Sequence, residues 1–196
     1  QRNWHVISCA AALSSGLIGL LLIQAYSYSG DETFMNAAIK IGSFALLLPV
    51  YFTVCHRMLP FFASCVLNDY VVYRPMWSLA IFWALTLSHV LLEIALLNTW
   101  LWVPDSVLAV VSMYLLWRWW PRKSVPPLMR VLLIGFAWLP IAMLLYVAQS
   151  LCLLLTDNSI LGRAPAHALF IGFFGSLLVA MVTRVTQGHS GRPLEF

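Results

Sequence analysis

Apolar residues form six long stretches in this chain, separated by short segments that are rich in turn-forming residues. Each stretch holds roughly 20 residues, the number that a helix rising about 1.5 Å per residue needs to cross about 30 Å of hydrocarbon. No alternating strand pattern appears, and helices satisfy all their backbone hydrogen bonds within lipid. The pattern predicts an all-α polytopic bundle, a single membrane domain over 1–196 with helices near 5–26, 34–55, 76–97, 100–120, 129–155 and 166–186.

Composition supports a lipid environment. Hydrophobic residues make up 62% of the chain and charged residues 9%, whereas soluble domains average about 45–50% and about 25%. The net charge of +4 would also suit nucleic acid, but the basic residues lie in short loops beside apolar spans. We therefore expect a lipid bilayer as the partner and no nucleic acid. The chain begins at Gln1 and its first stretch has no small-residue cleavage site, which argues against a removable signal peptide.

The loops differ in charge according to their side of the membrane. If the spans alternate in direction, the acidic side holds Arg163 with Asp31, Glu32, Asp105 and Asp157. The other side holds most of the basic residues, namely Arg2, Arg57, Arg74, Arg118, Arg122, Lys123, Arg130, Arg184 and Arg192. Cytoplasmic loops carry the excess of Lys and Arg. We therefore expect both ends of the chain to face the cytoplasm.

Two further patterns concern packing rather than chemistry. Small residues recur every fourth position in the last span, which predicts close helix contact and a central place in the bundle; they are Ala168, Gly172, Ser176 and Ala180. Tryptophans cluster at both ends of the fourth span, as in an interfacial aromatic belt; they are Trp100, Trp102, Trp117, Trp119 and Trp120. The four cysteines show no CxxC spacing and are interpreted as small hydrophobic residues.

Histidines are the strongest metal-ligand candidates in this sequence. His5, His56 and His189 come at the same end of three different spans, and His167 opens the last span at the opposite end. A straight helix would separate His167 from His189 by about 33 Å, so they cannot share one metal. Neutral imidazole binds haem iron and copper. The alternative is that each histidine only caps a helix or meets lipid headgroups.

A second polar feature lies in the third span, where His89 and Glu93 are four residues apart on one helix face. Ionisable groups within a membrane usually face a partner or a wet cavity. The pair either satisfies its own hydrogen bonding or belongs to a proton path. Together with Lys40, early in the second span, it leaves a transporter or channel as an alternative function.

The last span carries a recognisable segment, PAHALFIGFFGSLLVAMVTRVTQGHSGRPL, at 165–194. It resembles the signature of the NnrS family, membrane proteins that bind haem and copper and are associated with the bacterial nitric oxide response. The HRMLPFF run at 56–62 and the FAWLP run at 136–140 are similar to further family segments. The resemblance implies haem and copper as cofactors, a bacterial inner-membrane location and nitric oxide as a ligand.

The resemblance also implies site residues and partners. The matching positions are His56, Arg57, His167, Arg184, His189 and Arg192. Arginines there suit haem propionates or small anions, although topology explains them equally well. Histidines at opposite ends favour two metal positions, with His56 as the companion of His189. Longer family members have a His-rich amino-terminal half, so we expect a partial chain that works with this missing half or with another membrane chain.

The sequence leaves the enzymatic question open. It contains no GxSxG, HExxH or Gly-rich phosphate loop, which argues against hydrolase and nucleotide chemistry. An accessory subunit of a respiratory membrane complex is the third possible function, beside the haem and copper protein and the transporter.

Overall fold

The computed structural model describes residues 3–189, with side chains to residue 186. Six helices account for most of this range and are long and apolar enough to span a membrane: α1 (Trp4–Ser29), α2 (Glu32–Val66), α3 (Met76–Ile94), α4 (Asn98–Trp119), α5 (Pro127–Thr156) and α6 (Ala164–Thr186). The last of these continues in helical form as far as His189. No strand occurs among the described residues. The predicted all-α, six-span membrane bundle is confirmed.

A tight turn joins α1 to α2 and packs them side by side. Gly30 ends α1 with a φ of 69°, a left-handed conformation that glycine adopts without strain. The Asp31 carboxylate then caps α2 by accepting hydrogen bonds from the Thr33 backbone N–H at 2.9 Å and from its hydroxyl at 2.8 Å. These bonds lower the pKa of Asp31 from its ordinary value, because they favour the ionised carboxylate.

The second helix is longer than the sequence pattern predicts. A span ending near residue 55 was expected, but α2 continues through Pro60 to Val66. Proline removes a backbone hydrogen bond, yet Leu59, Pro60 and Ala63 are buried and hold this part of the helix against the bundle. At 35 residues, α2 is about 52 Å long, so it either tilts or extends beyond the hydrocarbon layer.

Two helices contain widened π-helical turns. In α2 the widened segment is Ile41–Leu47, directly after Lys40, and in α6 it is Ala168–Gly175, directly after His167. Such turns occur frequently at functional sites. Both therefore adjoin side chains that the sequence marks as candidates for chemistry.

Aromatic side chains fill the centre of the bundle. The rings of Phe52 and Phe82 stack at 3.7 Å between centroids, and Trp119 packs against Phe136 at 5.0 Å. Trp119 was expected at the membrane interface but is fully buried. Its indole N–H donates to the Tyr73 carbonyl at 2.9 Å, and this partner explains why an amphipathic ring can lie in the core.

The small-residue stripe of α6 makes a close contact, as predicted. A Cβ added to Gly172 would lie 2.6 Å from the ring of Trp138 on α5. The expected central place of α6 is wrong, however, because α6 packs mainly against α5 and leaves Ile171, Leu178 and Val179 exposed. A narrow stripe of small residues allows close packing against one neighbouring helix. The other faces of α6 are apolar and can contact lipid.

The alternating helices place the basic side chains together. We call the end of the bundle that carries Arg57, Arg74, Arg118, Arg130 and Arg184 the arginine-rich end. Asp31, Asp157 and Arg163 lie at the opposite end.

Candidate functional site

Two histidines from different helices meet at the arginine-rich end. His5 lies in the first turn of α1, and His56 lies in the second half of α2. The Nε2 atom of His5 is 2.9 Å from the Nδ1 atom of His56. His56 is fully buried and His5 is half-buried. We call these two side chains the histidine pair.

A hydrogen bond to the backbone shows which ring nitrogen of His56 carries the proton. The Nε2 atom of His56 is 3.2 Å from the Pro75 carbonyl, which only accepts hydrogen bonds. Nε2 is therefore the protonated nitrogen, and Nδ1 presents its lone pair to His5. An outer hydrogen bond of this kind orients the ring and fixes the tautomer in metal-ligating histidines.

The surroundings of the pair are aromatic. Trp119 meets the His56 ring edge-on at 5.9 Å, and Phe52 lies 6.0 Å away on the same helix. One turn further along α1, the Ser8 hydroxyl accepts from the Trp83 indole at 2.7 Å and bonds the Thr53 hydroxyl at 2.7 Å. These contacts join α1, α2 and α3 beside the pair and fix its position.

The pair fits a small ion better than a haem held between the rings. Metal–nitrogen bonds of about 2.0–2.1 Å to two imidazoles at a right angle place their nitrogens about 2.9 Å apart. Two axial imidazoles on opposite faces of a haem would need about 4 Å, with the macrocycle between them. Among the side chains that the structure describes, those of residues 3–186, no third His, Cys, Asp or Glu joins a metal-binding group. Two imidazoles are thus what the described residues offer here.

The predicted arginines lie around this end. Arg57 follows His56 and is exposed, and Arg184 is half-buried with its guanidinium 5.3 Å from the centre of the Phe62 ring. The predicted partnership of His56 with His189 stays a prediction, because the His189 side chain and all of Arg192 lie outside the described residues. The partner that the structure gives His56 is His5.

His167 lies at the opposite end of the bundle, as predicted. Its side chain is exposed, and its Nδ1 atom donates to the Arg163 carbonyl at 2.8 Å. This bond leaves the lone pair on Nε2. Phe170 and Ile171 follow one turn later and are also exposed, so the imidazole borders an apolar surface.

A second buried site lies towards the same end, around His89. His89 is fully buried and Glu93 nearly so, which confirms the prediction that both face the interior. The Nδ1 atom of His89 is 2.7 Å from Oδ1 of Asp105 on α4. Lys40 of α2 donates to Oε1 of Glu93 at 2.6 Å. We call Lys40, Glu93, His89 and Asp105 the buried charged cluster.

Aromatic rings pack around His89, and several polar atoms of the cluster have no hydrogen-bond partner among the described residues. Phe44 stacks on His89 at 3.8 Å, and Tyr146 of α5 meets the same ring edge-on at 5.5 Å. Between His89 Nε2 and Glu93 Oε2 the distance is 3.4 Å. Neither of these atoms, nor Oδ2 of Asp105, has a hydrogen-bond partner within the described part of the chain.

Sequence reasoning missed His5 and Asp105 as site residues. The sequence places His5 and His56 at the same end of the bundle, and this shared position could have identified His5 as a site residue. Asp105 was placed among the acidic residues of a loop, because it opens the fourth span. Asp105 is buried because α3 packs against α4, and a local sequence pattern cannot predict that packing.

Fold and sites together define a polytopic helical membrane protein with one buried histidine pair and one buried charged cluster. The sequence profile described as NnrS protein matches residues 1–196. The chain therefore belongs to the NnrS family, as its segments at 56–62 and 165–194 indicate. No curated protein and no solved structure matches it.

Proposed function

We propose that this protein binds copper and haem in a bacterial inner membrane and acts in the response to nitric oxide. The histidine pair carries the proposal, because its two facing nitrogens, 2.9 Å apart, form a ligand set that copper accepts. Family membership supports the same cofactors.

Copper would be held at the arginine-rich end by His5 and His56. Nδ1 of His56 already presents a lone pair, and His5 needs only to carry its proton on Nδ1 instead of Nε2. A further ligand would come from His189 or from another membrane chain. Arg57 and Arg184 supply positive charge near this position for anionic groups.

Haem would bind at the opposite end, on the exposed face of α6. His167 would offer Nε2 as a ligand to the iron, Phe170 and Ile171 would offer apolar surface to the macrocycle, and Arg163 would offer a cation to a propionate. When bound, the haem supplies an iron atom that can take a diatomic gas. His167, Phe170 and Ile171 would orient the ring and cover one of its sides.

Metal analysis of single variants tests these assignments. We expect His5→Gln and His56→Gln to lower copper affinity by about 10–100-fold or more while haem content stays at the wild-type level. His167→Gln should do the reverse and is the matched control. Equal copper content in all three variants would contradict the copper assignment.

A further inference from the structure

The buried charged cluster has an unbalanced charge. Lys40 is positive and both carboxylates are negative when ionised, so a neutral His89 leaves one net negative charge. His89 and Asp105 are fully buried, and Glu93 is 7% exposed at its side chain. An uncompensated charge is disfavoured in such a low-dielectric interior. One additional proton, on His89 or on Asp105, makes the cluster neutral.

The side chains around His89 limit how that proton can reach the surface. Phe44 covers one face of the His89 ring, and Tyr146 meets the ring edge-on. Asp105 contacts the ring at Nδ1, and Glu93 faces Nε2. Lys40, whose side chain is 39% exposed against 7% for Glu93, is the most exposed member of the cluster. The route from outside therefore leads through Lys40 and Glu93 to His89.

The geometry contains one gap on this route. The Lys40–Glu93 and His89–Asp105 contacts are 2.6 Å and 2.7 Å, which are hydrogen-bond distances. The Glu93–His89 distance of 3.4 Å exceeds the reach of direct proton transfer, about 2.6–3.2 Å. Rotation of the Glu93 carboxylate would close the gap. A proton that passes between Glu93 and His89 must therefore cross this contact.

We propose that the buried charged cluster is a proton-loading site, which holds one exchangeable proton between His89 and Asp105 and exchanges it through Glu93 and Lys40. Lys40 gives a proton to Oε1 of Glu93 and regains one from outside the protein. The Glu93 carboxyl group then rotates, which closes the gap and delivers the proton to Nε2 of His89. The Nδ1 proton of His89 then moves to Oδ1 of Asp105, and the imidazole returns to neutrality with its proton on Nε2. No electron is transferred, and the reverse sequence releases the proton. This site is independent of the proposed metal positions.

Nitrogen-15 NMR of histidine-labelled protein in lipid nanodiscs tests the loading. Ring ¹⁵N shifts distinguish the two neutral tautomers from the imidazolium, and the His89 signals are assigned by their loss in His89→Gln. If that variant does not fold, variants of the other four histidines assign His89 by elimination. We expect the His89 signals of the wild type to change state between about pH 5 and 8. Constant signals over this range would show a permanent structural ion pair and overturn the proposal.

Two variants test the partners and the route. Asp105→Asn removes a negative charge that favours the imidazolium, so the His89 transition should move down by about one to three pH units. Glu93→Gln removes the group that passes the proton, so exchange of the His89 N–H with deuterated solvent should slow at least about tenfold, or 1.4 kcal/mol in barrier. Glu32→Gln changes an exposed carboxylate at the start of α2 and is the control. Equal exchange rates in the two Gln variants would overturn the route.

Discussion

At the scale of single residues, most hydroxyl groups in this bundle bond to their own helix. Ser14, Ser15 and Ser88 each donate to the carbonyl four residues earlier, a bond that satisfies the hydroxyl without joining helices. Ser8 differs, because its hydroxyl connects Trp83 and Thr53 on two other helices. Polar contacts between helices, rather than polar residues as such, hold the histidine pair in place.

Replacement of Ser8 tests this distinction. Ser8→Ala leaves the Trp83 indole and the Thr53 hydroxyl without their partner, and we expect it to lower the free energy of unfolding by about 1 kcal/mol. The measurement is denaturant unfolding in lipid bicelles. Ser14→Ala, on the same helix, should change the value by less than about 0.5 kcal/mol. A similar loss in both variants would contradict the interhelical role of Ser8.

Spacing along one helix made part of the charged cluster predictable. His89 and Glu93 are four residues apart and must share a face, so their common burial followed from the sequence. Lys40 and Asp105 belong to other helices, and their contacts depend on how α2 and α4 pack against α3. The histidine pair was unpredictable for the same reason. The sequence shows that His5 and His56 lie at one end of the bundle, but not that they are in contact.

At the scale of helices, side-chain volume at the contact determines which helices approach closely. The α5–α6 contact depends on Gly172, which lies under the Trp138 ring. Without a Cβ, the backbone of α6 can approach that ring. The sequence predicted the close contact from the small residues but misplaced α6, since a stripe does not report how many neighbours a helix has.

A single added methyl group tests the α5–α6 contact. In Gly172→Ala the new Cβ would lie 2.6 Å from the Trp138 ring, and we expect a loss of about 1–3 kcal/mol in the free energy of unfolding from overpacking. Gly42→Ala is the matched control, because no atom lies within 4 Å of a Cβ added there. Retained stability in Gly172→Ala would show that the two helices are not in close contact.

The sequence predicted which segments form helices more accurately than it predicted where those helices end. Apolar runs located all six helices, but the sequence signal for the end of α2 was weak, because Arg57 and Pro60 both argue for a break. Burial of Leu59 and Ala63 outweighs the missing hydrogen bond, and this tertiary contribution is invisible in a local pattern.

At the scale of the whole molecule, the two sites lie towards opposite ends. The histidine pair belongs to the arginine-rich end, whereas Lys40, Glu93 and Asp105 lie near the end that carries Asp31 and Asp157. If the arginine-rich end is cytoplasmic, the proposed proton site opens on the extracytoplasmic side. Copper and protons would then reach the protein from different compartments.

Reporter fusions test this orientation. A reporter joined at Lys123 should be cytoplasmic and one joined at Asp157 extracytoplasmic, because the 30 residues of α5 separate these positions. Activity of reporters that function on only one side of the membrane provides the measurement. The same location for both fusions would contradict the six-span topology, and exchanged locations would contradict the orientation.

The most direct test of the proposed function is a visible absorption spectrum of the purified full chain, with copper determined on the same sample. We expect a haem Soret band that shifts when nitric oxide is added, together with bound copper. A haem position that takes a diatomic gas changes its axial ligation and therefore its absorption. Colourless protein without copper would contradict the proposed function and would favour the transporter or accessory-subunit alternatives.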